Sequence, residues 1–213
     1  MKIRDGLRIG VLSALAVATC GIAQADVISG ELWHVSEAIS QNAILANVPG
    51  TPADVTFDVN SPMNFNAPNT TVGAWLASGS ASNIVETTPG TLASLMDNFS
   101  QGTLIQFTGF VSVTNGQQFT VTHDDGLTLI IGGLDLGFNP GPTAPTTTSA
   151  TYTGPSGNFP FQLVYGECCG GSAVLQVALP FSNTTEVPEP SSLLLLGTGL
   201  LGFGRLVKSK FSS

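Results

Sequence analysis

From Ile9 to Gly204 the sequence contains no lysine and no arginine. All six basic residues lie at the ends: Lys2, Arg4 and Arg8 at one, Arg205, Lys208 and Lys210 at the other. Only 9% of the 213 residues are charged, against a usual share of about 25%. Nucleic-acid binding needs clustered cations and is excluded. Internal Lys/Arg ion pairs and any catalytic or phosphate-holding Lys or Arg are excluded with it. Cysteine is scarce as well: Cys20, Cys168 and Cys169 are the whole complement, too few for a disulfide framework. A hydrophobic content of 42% with alternating apolar runs nevertheless argues for a folded core rather than disorder.

The basic residues belong to two terminal segments. The first is a positive start, an apolar run from Ile9 to Val17, and Ala23-Gln24-Ala25. This order is that of a secretory signal peptide over residues 1–25, cut before Asp26 by signal peptidase. The rival assignment makes Cys20 the acylated residue of a lipoprotein, but Thr19 stands where Gly or Ala is expected. The second segment reads Val187-Pro188-Glu189-Pro190-Ser191-Ser192, then an apolar stretch from Leu193 to Val207, then Lys208-Ser209-Lys210. The prolines hold residues 183–192 as an extended linker. Residues 193–213 read as an apolar helix with a basic tail. Its apolar part rises about 22 Å, against the roughly 30 Å of a bilayer core. A short span with Arg205 snorkelling to the cytoplasmic edge fits that length.

Between these segments, residues 26–182 make one domain. Its second half alternates with period two, the pattern of half-buried strands. Such runs are seen at 104–113, 118–122, 127–131, 161–165 and 173–179. Asn115-Gly116 reads as a hairpin turn between the first two. Leu92, Leu95, Met96 and Phe99 have helical spacing over 92–99. Residues 139–160, with five prolines and a Thr/Ser run, read as a long loop. The fold class expected is all-β, a sandwich or barrel.

One cluster carries chemistry. His123-Asp124-Asp125-Gly126 sits between two predicted strands. Adjacent carboxylates followed by glycine suit a hard cation such as Ca²⁺, and equally a plain Asp-Gly turn. With no basic neighbour available, such carboxylates repel one another unless a cation is bound. His123 reads either as a partner of an aspartate or as a partly exposed residue at a strand end. Cys168 and Cys169 are adjacent and, after export, form either a vicinal disulfide, a redox-labile pair or intermolecular links. A zinc site would need His34 and His123 beside them. Trp33 and Trp75 read as core residues in preference to sugar-stacking platforms.

Two resemblances add to this reading. Val187-Pro188-Glu189-Pro190 with the apolar segment and basic tail resembles the PEP-CTERM sorting signal. That resemblance implies recognition of Pro188, Glu189 and Pro190 by an exosortase. It also implies export to the cell surface or polysaccharide matrix, with the C-terminal helix in the inner membrane before processing. Phe107-Thr108-Gly109-Phe110, the run from Gly116 to Val121, Asp124 to Gly133, Val164-Tyr165-Gly166-Glu167 and Gly170 to Leu175 resemble the PA14 family over about 99–180. The resemblance implies a β-sandwich with Asp124 and Asp125 joined by a cis peptide and binding Ca²⁺, which in turn holds sugar hydroxyls. Glu167 falls where the sugar-binding adhesins of that family place an asparagine. The expected metal site is therefore Asp124, Asp125 and Glu167 with carbonyls from 168–171, and His123, Gly170 and Gly171 line the ligand site.

The function expected is Ca²⁺-dependent binding of extracellular polysaccharide by a non-enzymatic adhesion module. The alternative is a structural matrix component without specific sugar binding. A glycosidase is the weakest reading. HExxH and G-x-S-x-G motifs are missing, and no motif singles out Glu31 with Glu37 or Asp54 with Asp58 as a carboxylate pair.

Overall fold

Strands dominate because β-branched and aromatic residues alternate with polar ones along much of the chain. The computed structural model describes residues 27–68 and 70–180. The expected signal peptide, the PEP linker with Pro188, Glu189 and Pro190, and the C-terminal helix lie outside the described residues. Among the described residues no helix is long and apolar enough to cross a membrane.

The strands are β1 (Val27–Ser36), β2 (Val55–Asn60), β3 (Met63–Pro68), β4 (Ser82–Glu86), β5 (Gln101–Val113), β6 (Gln118–Asp124), β7 (Leu127–Ile131), β8 (Leu134–Asp135), β9 (Thr146–Thr151), β10 (Gly157–Glu167) and β11 (Ser172–Val177). They form a seven-stranded sheet in the order β4-β2-β1-β5-β10-β7-β8 and a four-stranded sheet in the order β3-β11-β6-β9. All pairings of named strands are antiparallel. The all-β expectation is met.

The core lies between the sheets. Ile28, Phe57, Phe107, Leu129 and Leu163 from the large sheet share one buried cluster with Phe65, Phe119, Val121 and Leu175 from the small one. Fully burying each such side chain contributes roughly 1.5–3 kcal/mol, so apolar burial carries the fold of the described residues, which include no lysine or arginine. Helix α1 (Val72–Ser78) closes one side and is capped by the Thr71 hydroxyl, which accepts from the Ala74 amide at 3.3 Å. Its Trp75 stacks on Phe65 at 4.0 Å and donates its indole N–H to the Ala173 carbonyl. Trp33 is buried on the opposite face of the large sheet, with Val35, Ala53 and Leu104. Both tryptophans are therefore core residues, as expected.

The five predicted strands all exist, with small shifts at their ends. Three other expectations change. Asn115-Gly116 does turn, with Gly116 at φ 83°, but β5 and β6 enter different sheets and do not pair. The Asn115 side chain instead donates to the carbonyls of Thr153 and Gly154, and the Gly116 amide to Tyr152. The turn is thus a corner between sheets. The helical spacing at 92–99 yields only a 3-10 turn at Thr91–Ala93. Beyond it, the Met96 amide donates to Thr70 and the Val72 amide to Ser94, which holds the segment extended. The predicted loop 139–160 contains β9, because its threonines pair with β6. Thr122 and Thr147 share a 2.8 Å hydroxyl contact, as do Thr120 and Ser149.

Candidate functional site

Two chain crossovers between the sheets meet at one place. The first, Asp125-Gly126, carries the chain from β6 in the small sheet to β7 in the large one; the second, Cys168–Gly171, carries it from β10 back to β11. Pairing of Val174 with Asp124 brings the second crossover beside the first. Asp125 adopts φ 47°, a region that aspartate tolerates better than most residues. Gly126 allows the close approach of residue 140. A Cβ there would collide with the Pro140 carbonyl.

Asp124, Asp125, Thr143, Cys169, Gly170 and Gly171 line an open cleft of about 460 Å³ at this junction, with Pro142 and Pro145 on its rim. Both aspartates are buried, as are Asp97, His123 and Glu167. The cleft thus gathers four of the predicted site residues: Asp124, Asp125, Gly170 and Gly171. Glu167 and His123 stand behind its wall. Glu167 borders a small cavity of about 10 Å³ with Asp97, Met96 and Gly170. His123 is fully buried and not the partly exposed residue expected. Its Nδ1 lies 2.6 Å from the Asp125 carbonyl and its Nε2 2.8 Å from the Thr148 hydroxyl. A carbonyl can only accept, so Nδ1 carries the proton and fixes the Asp125 backbone.

Backbone amides, in place of cations, hold the carboxylates. Asp125 Oδ2 accepts from the Cys168 amide at 2.7 Å, Glu37 Oε1 from the Cys169 amide at 3.1 Å, and Asp97 Oδ2 from the Gly170 amide at 2.7 Å. Three consecutive amides thus meet three acids from three separate parts of the chain. Positive φ at Cys169, Gly170 and Gly171 (66°, 74° and 123°) curls the segment so that this is possible. Cys168 and Cys169 form a vicinal disulfide within it, as one of the three cysteine readings expects.

The electrostatics follow from burial. Burial raises Asp124, against the amides of Asp125 and Ser172 and the His123 ring. Burial pushes Asp125 up to about 6, with the Asp124 and Asp97 charges adding to it and the Cys168 and Thr143 amides opposing. Glu167 is pushed up to about 9, by burial first and also by Asp125, Asp124 and Asp97. The Tyr165 hydroxyl lies 2.5 Å from the Asp124 carbonyl and 2.6 Å from Glu167 Oε2. One hydroxyl proton cannot serve both, so a protonated Glu167 donates to Tyr165 Oη while Tyr165 donates to the Asp124 carbonyl.

Two expectations drawn from the PA14 resemblance are corrected. The Asp124–Asp125 peptide is trans; among the described residues the cis bond is Ser61–Pro62. Asp125 instead adopts a positive φ, with His123 bonded to its carbonyl and the Cys168 amide to its carboxylate. Asp124, Asp125 and Glu167 do not bring three side-chain oxygens within 4.8 Å of one another. The trio of possible ligand atoms that lies so close, among the described residues, is a Glu37 oxygen with the Cys168 and Cys169 sulfurs, which are bonded to each other, and neither histidine joins it. Glu167 is turned away by its contact with Tyr165. The donor set facing the cleft is therefore two aspartates plus backbone, and this is a fit for a hard cation that uses carbonyls and water for its remaining positions.

Asp97, Glu37 and Thr143 are site residues that the sequence analysis missed. Each lies far along the chain from His123-Asp124-Asp125-Gly126 and belongs to no motif.

No curated protein matches the chain. Among solved structures, it is similar to a PA14 sugar-binding domain from an RTX adhesin, at 19% identity and a TM-score of 0.49, covering 72% of this chain and 89% of that one. It is similar to the PA14 domain of the antifreeze protein MpAFP, at 21% identity and a TM-score of 0.49, covering 76% and 87%. The Epithelial Adhesin 6 A domain from Candida glabrata, in complex with Galb1-3GlcNAc, matches at 12% identity and a TM-score of 0.41, covering 80% and 92%. At the C-terminus, residues 186–208 match the model of the PEP-CTERM protein-sorting motif, so the chain carries that motif behind an all-β domain.

Proposed function

We propose that this is an exported protein, sorted to the cell surface by an exosortase, whose β domain binds carbohydrate at the Asp124–Asp125 cleft with the help of a divalent cation, Ca²⁺. The observation that carries the reading is a pair of adjacent buried aspartates open to a cleft in a domain without one lysine or arginine. Two neighbouring carboxylates in such surroundings gain most from a cation that bridges protein and ligand oxygens. Asp124 and Asp125 would hold it together with carbonyls of 168–171, and Gly171, with open space where a side chain would stand, lets a ligand approach the backbone beside Gly170. The cation would supply coordination to sugar hydroxyls. Glu167 stays behind the wall as a neutral donor to Tyr165.

The PEP-CTERM match supports the destination. A surface or matrix protein meets polysaccharide first, and the domain acts on it by binding rather than by catalysis. A structural role in the matrix is the second reading. It draws on the outward face of the small sheet, where Thr120 with Ser149, Thr122 with Thr147 and Asn64 with Gln176 present uncharged hydrogen-bonding groups.

A glycan array with the full chain, run with millimolar Ca²⁺ and again with EDTA, tests the first reading. Binding that EDTA abolishes and Asp125→Asn removes supports it. Absence of cation binding by calorimetry, with thermal stability indifferent to EDTA, defeats the cation. Array binding unaffected by either defeats the cleft.

A further inference from the structure

Phe99 is the most exposed large apolar side chain among the described residues, at 74%. It is also held there deliberately. Its backbone sits at φ 64°, a conformation that a bulky residue adopts only where surrounding contacts enforce it. Those contacts are visible. Asp97 Oδ1 accepts from the Phe99 amide at 3.1 Å while its Oδ2 accepts from the Gly170 amide. Asn98 Oδ1 accepts from the Ser100 amide, the Ser100 hydroxyl and the Gln101 amide, and the Asn98 amide donates to the Gln101 carbonyl. The turn is thereby locked on both sides of the ring.

The ring rests against Gly170. A Cβ at Gly170 would fall 2.5 Å from Phe99 Cζ, so only glycine lets the ring come so close. Gly170 in turn lines the cleft together with Asp124 and Asp125. One buried carboxylate, Asp97, therefore ties an exposed aromatic ring to the wall of the acidic cleft. Folding gains nothing from leaving a phenyl ring in water, since burial of an apolar side chain is what stabilises the fold. Both tryptophans are in the core, and Phe99 is the exposed ring that packs on the cleft wall at Gly170, beside the residues that line the cleft.

We propose that Phe99 is the stacking platform for the ligand of the cleft, and that the ligand class is a pyranose presenting an apolar C–H face to the ring and hydroxyls to the acidic side. The chemistry matches in both halves. A sugar ring has one face rich in C–H groups, which packs on an aromatic ring, and a hydroxyl rim, which carboxylates and a cation they hold bind. A rigid aromatic loses little conformational entropy on binding, and the Asp97 clamp makes this one rigid beforehand. Asp97 acts here as a positioning residue. The proposal rests on the carbohydrate reading of the cleft and goes further by naming the contact and the ligand face.

Saturation-transfer NMR of the full chain with a panel of galactose, glucose, mannose, fucose and N-acetylglucosamine tests it, alongside Tb³⁺ luminescence as a readout of the aspartates. Phe99→Ala is expected to weaken sugar binding roughly tenfold and to leave Tb³⁺ binding unchanged, and Phe99→Trp to restore the sugar signal. Phe110→Ala, which removes another exposed ring, on the large sheet, serves as the control and should change neither. If Phe99→Ala binds sugar as the wild type does, the stacking role is overturned while the carbohydrate reading stands. If the wild type binds no sugar of the panel, both fall together. If Phe99→Ala changes only the mass in solution, the ring is a contact between copies and the proposal is wrong.

Discussion

Asp125 and Cys168 are 43 residues apart and are joined at 2.7 Å, carboxylate oxygen to backbone amide. That single bond ties the two crossovers together, and the second Asp125 oxygen holds the Thr143 amide at 3.3 Å. Asp125→Ala leaves both amides without their acceptor, each costing about 1–3 kcal/mol if water does not reach it. Asp125→Asn keeps an acceptor and relieves a buried charge. Urea unfolding should therefore rank the alanine variant well below the asparagine variant, and the asparagine variant close to wild type. Cation binding should be lost in both.

Stability in the absence of divalent cations should fall as the pH rises. Glu167 is raised from 4.5 to about 9 and Asp125 from 3.8 to about 6. Each binds its proton more tightly in the folded state, so the folded state is favoured below the unfolded pKa and loses that advantage as pH climbs through the folded one. In EDTA, the melting temperature should thus be higher at pH 5 than at pH 8. Glu167→Gln should remove most of the slope above pH 6, and millimolar Ca²⁺ should flatten the part due to Asp125. A melting temperature that rises with pH in EDTA would contradict the assignment.

Reduction of Cys168–Cys169 should alter the cleft more than the fold. A bridge between neighbours closes almost no loop, so the chain entropy it removes from the unfolded state is small. Yet the two cysteine amides hold Asp125 and Glu37. Cys169 is exposed and Cys168 buried, so a dithiol attacks the Cys169 sulfur and Cys168 leaves as the thiolate. Alkylation and mass measurement should find both thiols after treatment. Urea midpoints should move little, while Tb³⁺ affinity should drop severalfold.

Gly126→Ala should destabilise the domain by about 1–3 kcal/mol, because the added methyl meets the backbone carbonyl of Pro140 and not a side chain that can swing away. Gly116→Ala meets nothing within 4 Å, and its cost comes only from the positive φ, about 1 kcal/mol. Parallel thermal melts of the two variants separate crowding from backbone strain.

The strands of the second half were legible because each buries one face, so apolar residues recur every second position from Leu127 to Ile131 and from Phe161 to Tyr165. Partner choice was not. Asn115-Gly116 reads as a hairpin turn in any local window, and only its contacts with 152–156 turn the chain toward the other sheet. Residues 26–91 yielded no elements, although β1 alternates over much of its length, because Gly30 and the Leu32-Trp33 pair, both buried, break its pattern. The aspartate pair was legible as a motif. Asp97 and Glu37 were not, since a lone acid gives no sign that it will meet an amide more than 70 residues away. Glu167 was found by position in a resemblance, and its protonated contact with Tyr165 needed the fold.

The carboxylates of the described domain, Glu31, Glu37, Asp54, Asp58, Glu86, Asp97, Asp124, Asp125, Asp135 and Glu167, face no lysine or arginine anywhere between them. Long-range electrostatics therefore act on this domain with one sign. Near an anionic polysaccharide or a phosphate-rich outer leaflet it is repelled at every orientation, and no rotation presents an attractive patch. Its approach to such a surface is governed by the ionic medium: monovalent salt only shortens the range of repulsion, whereas divalent ions turn repulsion into a bridge. Where the protein settles would then depend on the local hardness of the water as much as on its sorting signal.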